Sequence, residues 1–167
     1  MNELYEVLTQ LIEMNGGSIV GKTRLQKTVY LLDQCGLNSG CAYDYHYYGP
    51  FSVQIAEAAE DARDLRLLSY DERNGYHAVP YGVYTTHTEI PLPEKIGDLT
   101  REEIAQKLAI MNGHSAIDLE LAATLLFLQN SGSQNPREEI KLLKPAKATP
   151  EGIRSAERLL TEIGAST

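Results

Sequence analysis

Leu4, Val7, Leu8, Leu11 and Ile12 recur at spacings of three, one, three and one, and shortly afterwards the chain reads Asn15-Gly16-Gly17. That period puts five apolar side chains on one helix face, which stops where residues tolerant of positive φ close the last turn. A helix at this place constrains the next segment, because residues 16–23, GGSIVGKT, match the phosphate-loop string G-x-x-x-x-G-K-[ST]. A phosphate loop needs a buried strand before it and a helix after it, so that amides and the helix dipole converge on the phosphates. Here a helix comes first. β-branched Ile19 and Val20 favour a short strand in the middle of the string. Asp33, the nearest candidate for a Walker-B carboxylate, falls inside the next helix. No nucleotide or other cofactor is therefore expected.

Thr23-Arg24-Leu25-Gln26 reads as a capping box, with Thr23 as cap and Gln26 reaching back, opening a helix over 24–34. Leu25, Val29 and Leu32 line its inner face, Arg24 and Lys27 lie off that stripe, and Gly36 ends it. Next comes AYDYHYYGPFS, residues 42–52, where Tyr43, Tyr45 and Tyr47 alternate with Asp44, His46 and Tyr48. The period of two predicts a short strand, broken at Gly49-Pro50, with Ser52 as N-cap of a helix over 53–65. That helix is expected to turn Val53, Ala56, Ala59 and Ala62 inward and to show Glu57, Glu60, Asp61 and Asp64 outside. Residues 66–86 read as a β-hairpin turned at Asn74-Gly75 in a type I′ turn. Helix, short strand, helix, helix and hairpin form the order of a winged helix, with a tyrosine-rich insert where a helix-turn-helix has a tight turn.

Residues 88–98 hold two prolines and a glycine and are expected to be a connector. Beyond it, Thr100 and Glu103 form a capping box for a helix ending at Asn112-Gly113, and Ser115 and Asp118 open another. In that next helix Ile117, Leu121, Leu125 and Leu128 are expected to face inward. Asn135-Pro136 and Thr149-Pro150 are N-cap/N1 pairs for two last helices. In the final one Ile153, Ala156, Leu160 and Ile163 face the core, and Gly164 ends it. The expected fold is α+β and mostly α-helical: a modified winged-helix module over 1–87, then the connector, then a helical region over 99–167 packed on it.

GKTRLQKTVYLL, followed by YDYHYYGPFS and a helix ending in DLRLLSY, resembles the YwgA family of small bacterial and archaeal proteins. More distantly it is similar to the Panacea (SocA-like) antitoxin domain. Both pair a K-x-x-L-Q-K helix with an aromatic strand closing on Gly-Pro. Here the matching positions are Leu25, Gln26, Lys27, Tyr30, Tyr47, Tyr48, Gly49 and Pro50. The likeness covers about residues 18–70. YwgA-like proteins have no settled activity. The Panacea likeness implies a protein that binds a partner, as an antitoxin or a proteolytic adaptor. This chain departs from those domains in having no tryptophan.

Charge and residue usage narrow the functions further. A net charge of −8 disfavours broad contact with phosphate backbones or membrane surfaces. DNA binding would place four carboxylates of the third helix in the major groove, leaving Arg24, Lys27 and the hairpin-tip Arg73 as candidate nucleic-acid contacts. Asp44 and His46 share a strand face but have no nucleophile beside them, and the four histidines show no metal-ligand spacing. No catalytic or metal-binding residue is therefore expected. Cys35 and Cys41 read as reduced thiols, and the absence of an export signal makes the cytoplasm the expected compartment. Ten tyrosines against two phenylalanines is a skew towards residues that join a large apolar area to a polar tip. The odd members of the aromatic strand are expected inside. His46 and Tyr48, with Gly49, Pro50 and Phe51, are the candidate partner-binding set. The expected function is non-enzymatic binding of a partner protein. A winged-helix DNA-binding regulator and an enzyme of unrecognised type are the alternatives, and a second copy of the chain, in a homodimer, is the other candidate partner.

Overall fold

The computed structural model describes residues 3–75, 80–87 and 89–165. The first helix, α1, runs over Leu4–Met14, and its apolar stripe buries Val7, Leu8, Leu11 and Ile12 as its period requires. Gly16 and Gly17 come next at φ of 82° and 92°, and the chain enters β1, Ser18–Val20. Helix α2, Lys22–Asp33, and helix α3, Val53–Asp64, precede a hairpin of β4, Leu68–Asn74, and β5, Pro80–Thr86. Strand β1 pairs antiparallel with β5, giving a three-stranded sheet in the order β1-β5-β4. The fold is thus α+β and mostly helical, with a winged-helix-like module and extra helices. Between α2 and α3 lies a second small hairpin, β2, Asp44–His46, against β3, Gly49–Phe51.

Helix α4, Arg101–Asn112, comes after a minimal ladder of β6, Lys95–Ile96, and β7, Leu99–Thr100. Helices α5, Ala116–Asn130, α6, Pro136–Leu143, and α7, Pro150–Ile163, complete the chain. The caps read from sequence form here: the Thr100/Glu103 box, Ser115 on the Asp118 amide, Asn135 on that of Glu138, and Thr149 on that of Gly152. Helix α5 is buried on nearly every side, since it packs against α2, α6, α7 and β3. One apolar cluster runs from Val7 to Ala165, so the helical region and the winged module share a core.

Several local expectations are corrected. Helix α2 is capped by the backbone of Gly21, at φ 92°, with no side-chain cap, and Thr23 lies within its first turn. Gln26 cannot reach back because it is buried and its amide brackets the backbone of Ser52. Gly49-Pro50 does not break a strand but forms β3. Helix α3 turns Ile55, Ala58, Ala59 and Ala62 inward, leaving Val53 exposed, and Ile117 at the start of α5 is exposed as well. Asn74 stands opposite Pro80 in the ladder, so the reversal is longer than a two-residue turn at Asn74-Gly75. Residues 76–79, including His77, lie outside the described residues. The connector over 88–98 contains β6 and so is partly ordered by its own ladder.

Candidate functional site

The aromatic hairpin β2–β3 is short, and buried side chains from elsewhere fasten it. Tyr47-Tyr48 make the two-residue turn between the paired His46 and Gly49. Gly49 sits at φ 98°, and a β-carbon there would stand 2.7 Å from Thr124 Oγ1, so both backbone and space demand glycine. The carbonyl of Pro50 accepts a 2.6 Å bond from Lys27 Nζ, and that of Tyr47 accepts one from Lys144 Nζ at 3.0 Å. Lys144 also pairs with Glu120 at 2.9 Å, and Lys147 donates to both oxygens of the same carboxylate at 3.0 Å. Gln26 holds the exit at Ser52 through two bonds of 2.9 Å. Lysines Lys27 and Lys144, with Glu120, are almost wholly buried, and each finds the hydrogen-bonding partners that burial requires. Burial lowers the Lys27 ammonium from 10.5 to about 8, and Lys144 adds to that while Glu120 opposes it.

These fastenings hold up a ridge of rings. Tyr43 points inward, donating to Asp33 Oδ2 at 2.6 Å and meeting Tyr30 edge-on at 4.8 Å. Burial, then the charge of Asp33, pushes its hydroxyl far above the usual tyrosine range. Tyr45 leans on Phe127 at 6.0 Å, and His46 stacks on Phe51 at 4.6 Å. Tyr47 and Tyr48 meet edge to face at 4.9 Å, with Lys147 5.0 Å from the Tyr48 ring. The expected odd-in, even-out alternation is not kept: Tyr43 is half-buried, but every residue of β2 is exposed, Tyr45 included, since the small hairpin turns both faces of that strand to solvent. Tyr47, in the turn, is 82% exposed and is the outermost ring. His46 and Tyr48 do face solvent, whereas Gly49 and Pro50 are buried beneath the hairpin and set its shape.

The ridge separates two hollows. One, of about 500 Å³, lies between the start of α2, the hairpin, α3 and β5. Its lining includes Lys22, Thr23, His46, Tyr48, Phe51, Ile55 and Tyr84. The other, of about 330 Å³, lies on the α6 side and is lined by Tyr45, Tyr47, Leu143, Pro145 and the two lysines 144 and 147. Tyr47 borders both. Next to the second hollow, α6 ends in the exposed Leu142 and Leu143.

The remaining candidates do not converge. Arg24, expected off the buried stripe, spends its guanidinium on the carbonyls of Met111, at 2.6 Å, and His114, at 3.1 Å, tying α2 to the end of α4. Lys27, expected there too, is 2% exposed. Only Arg73, on the exposed end of β4, faces water, so these three cations do not share a surface. The amide of Gly17 bonds to Ile12 and that of Gly21 to Gly82, so the phosphate-loop string is taken up by a turn and an antiparallel edge strand. Among the described residues no hydrogen bond joins Asp44 to His46, and no group of three His, Cys, Asp or Glu side chains is placed to hold a metal ion. Both cysteines are free thiols, pushed up by burial. His114 bridges Asp118, at 2.9 Å, and Glu162, at 3.1 Å, a hydrogen-bonded knot joining α5 to α7. Among the described residues no helix is long and apolar enough to cross a membrane.

Sequence reasoning missed the buried Glu120–Lys144–Lys147 triad. A signal existed: Glu120 is the one carboxylate inside the otherwise apolar run LELAATLLFL, residues 119–128, where an unpaired charge could not stay buried.

No family model matches the chain, and no solved structure matches it. It is similar to the uncharacterised protein YwgA of Bacillus subtilis (strain 168), with 24% identity over 158 residues, covering 89% of this chain and 90% of that protein.

Proposed function

We propose that this chain is a non-enzymatic binding module that engages a partner protein through the aromatic ridge. The single observation supporting this most is Tyr47, 82% exposed on a turn whose flanking carbonyls are gripped by two buried lysines. A large exposed ring normally costs solvation and mobility. Tyrosine has only two side-chain torsions, and on a turn whose backbone is fastened it loses little entropy on docking, which is how aromatic anchors carry interface energy. An antitoxin- or adaptor-like role, implied by the resemblance to Panacea domains, is one form this binding could take. Cytoplasmic residence is the setting assumed for it.

Photo-crosslinking from position 48 in cells, alongside affinity capture with wild type, Tyr47→Ala and Tyr48→Ala, tests the reading. One specific protein, crosslinked from position 48, captured by wild type and lost from both alanine variants, is the expected result. Tyr47→Ala should leave the thermal midpoint within about 2 °C, because an exposed side chain changes stability by roughly 0.5 kcal/mol or less. Retention of every captured protein by both variants would refute the proposal.

A further inference from the structure

The hollow of about 500 Å³ has apolar walls and an unbalanced charge at its mouth. Leu25, Phe51, Ile55 and Ala59 supply the walls. Its one lining carboxylate, Glu60, is already occupied by Arg63 at 3.0 and 3.2 Å. Lys22, by contrast, has only the Tyr70 ring for company, at 4.9 Å, and among the described residues no carboxylate pairs with it. Lys27, also lining the hollow, bonds a carbonyl rather than a carboxylate. In a chain of net charge −8 this is a local surplus of positive charge beside an apolar recess. The first turn of α2 carries no acidic side chain to offset it.

We infer that this hollow takes the C-terminal residue of the partner protein, with its apolar side chain between the walls and its free α-carboxylate on Lys22. The inference rests on the partner-binding reading and names the part of the partner that would be held. An aspartate or glutamate side chain would bring charge to Lys22 but nothing for the walls, and an internal leucine or phenylalanine would bring the reverse. Only a chain terminus joins an apolar side chain and a carboxylate in one residue. Charge complementarity and desolvation then act together, which is the usual composition of a ligand recess: apolar lining with few fixed polar groups.

The probes are hexapeptides of randomised sequence ending in leucine or phenylalanine, prepared as free acids and as C-terminal amides. They are titrated into the full-length ¹⁵N-labelled chain while the amide signals of Lys22, Thr23 and Tyr48 are followed. Acids should shift these signals and bind about tenfold tighter than amides, the worth of one charge-assisted contact. Lys22→Gln, at an exposed position, should abolish the preference without altering the fold. Ala56→Leu, which fills the hollow, should weaken both series. Equal binding of acids and amides, no shift at these amides, or octanoate binding as tightly as the peptides would overturn the inference. If Tyr48→Ala still loses a captured protein while acids show no preference, the partner-binding reading survives and this one fails.

Discussion

Replacing Lys27 by methionine keeps most of the length of the side chain but removes a buried ammonium, and its effect on stability should depend on pH in a defined direction. Burial lowers this group from 10.5 to about 8. Below pH 8 the folded and unfolded chains both hold the proton, and the folded chain bears the full penalty of a desolvated charge. Between pH 8 and 10.5 the folded chain releases a proton that the unfolded chain keeps, so the Lys27 contribution to stability rises with pH. The full gain across that window is about 3 kcal/mol, most of it reached by pH 10. At neutral pH the variant trades two effects of similar size. It loses the 2.6 Å bond to the Pro50 carbonyl, and it is freed of the buried charge. Urea unfolding of both proteins, followed by far-UV circular dichroism at intervals from pH 7 to 10, isolates the lysine. Tyrosine ionisation changes both profiles alike and cancels in the difference. Wild type should gain on Lys27→Met by about 2 to 3 kcal/mol over that range. Parallel profiles would show that the ammonium is not held in a desolvated site, and the clamp on the hairpin would lose its physical basis.

Glu120→Ala should destabilise by about 3 kcal/mol or more, because it strands the buried Lys144 ammonium, and adding Lys144→Met should recover much of the loss. Denaturant midpoints of the two single variants and the double variant complete the cycle. Gly49→Ala should cost about 2 kcal/mol or more, combining left-handed backbone strain with a β-carbon 2.7 Å from Thr124 Oγ1, as read by calorimetry. Absorbance at 295 nm during alkaline titration should show Tyr30 and Tyr84, raised to about 12 chiefly by burial, ionising well above the ordinary tyrosine value of 10.0. A raised tyrosine keeps its proton in the fold, so the stability it lends is whole below about pH 10 and is lost as pH climbs towards 12.

The elements whose formation depends on neighbours in sequence were legible in advance. The stripe of α1, the boxes and caps that open α4, α5, α6 and α7, and Gly164 at the end of α7 all appear where local periodicity and turn chemistry put them. Local chemistry also separated the GGSIVGKT string from a phosphate loop, because a helix stands where a buried strand would be needed. The site was legible only in outline. An aromatic strand was visible, but Lys27 looked like a surface residue, Gln26 like half of a capping box, and Gly-Pro like a break.

What reversed those readings was contact across the chain. Lys27 is buried because β3 and α5 close over it, and its single carbonyl partner lies at Pro50. Glu120 tolerates the interior because residues 144 and 147 supply two ammonium groups. Helical period and capping act over four residues or so, and the sequence by itself settles them except at α2, where a distant backbone, that of Ser52, takes Gln26 away from its cap. The pairing of buried charges, and the hollows that the hairpin leaves on either side of Tyr47, depend on groups tens of residues apart, and only the tertiary structure brings these together.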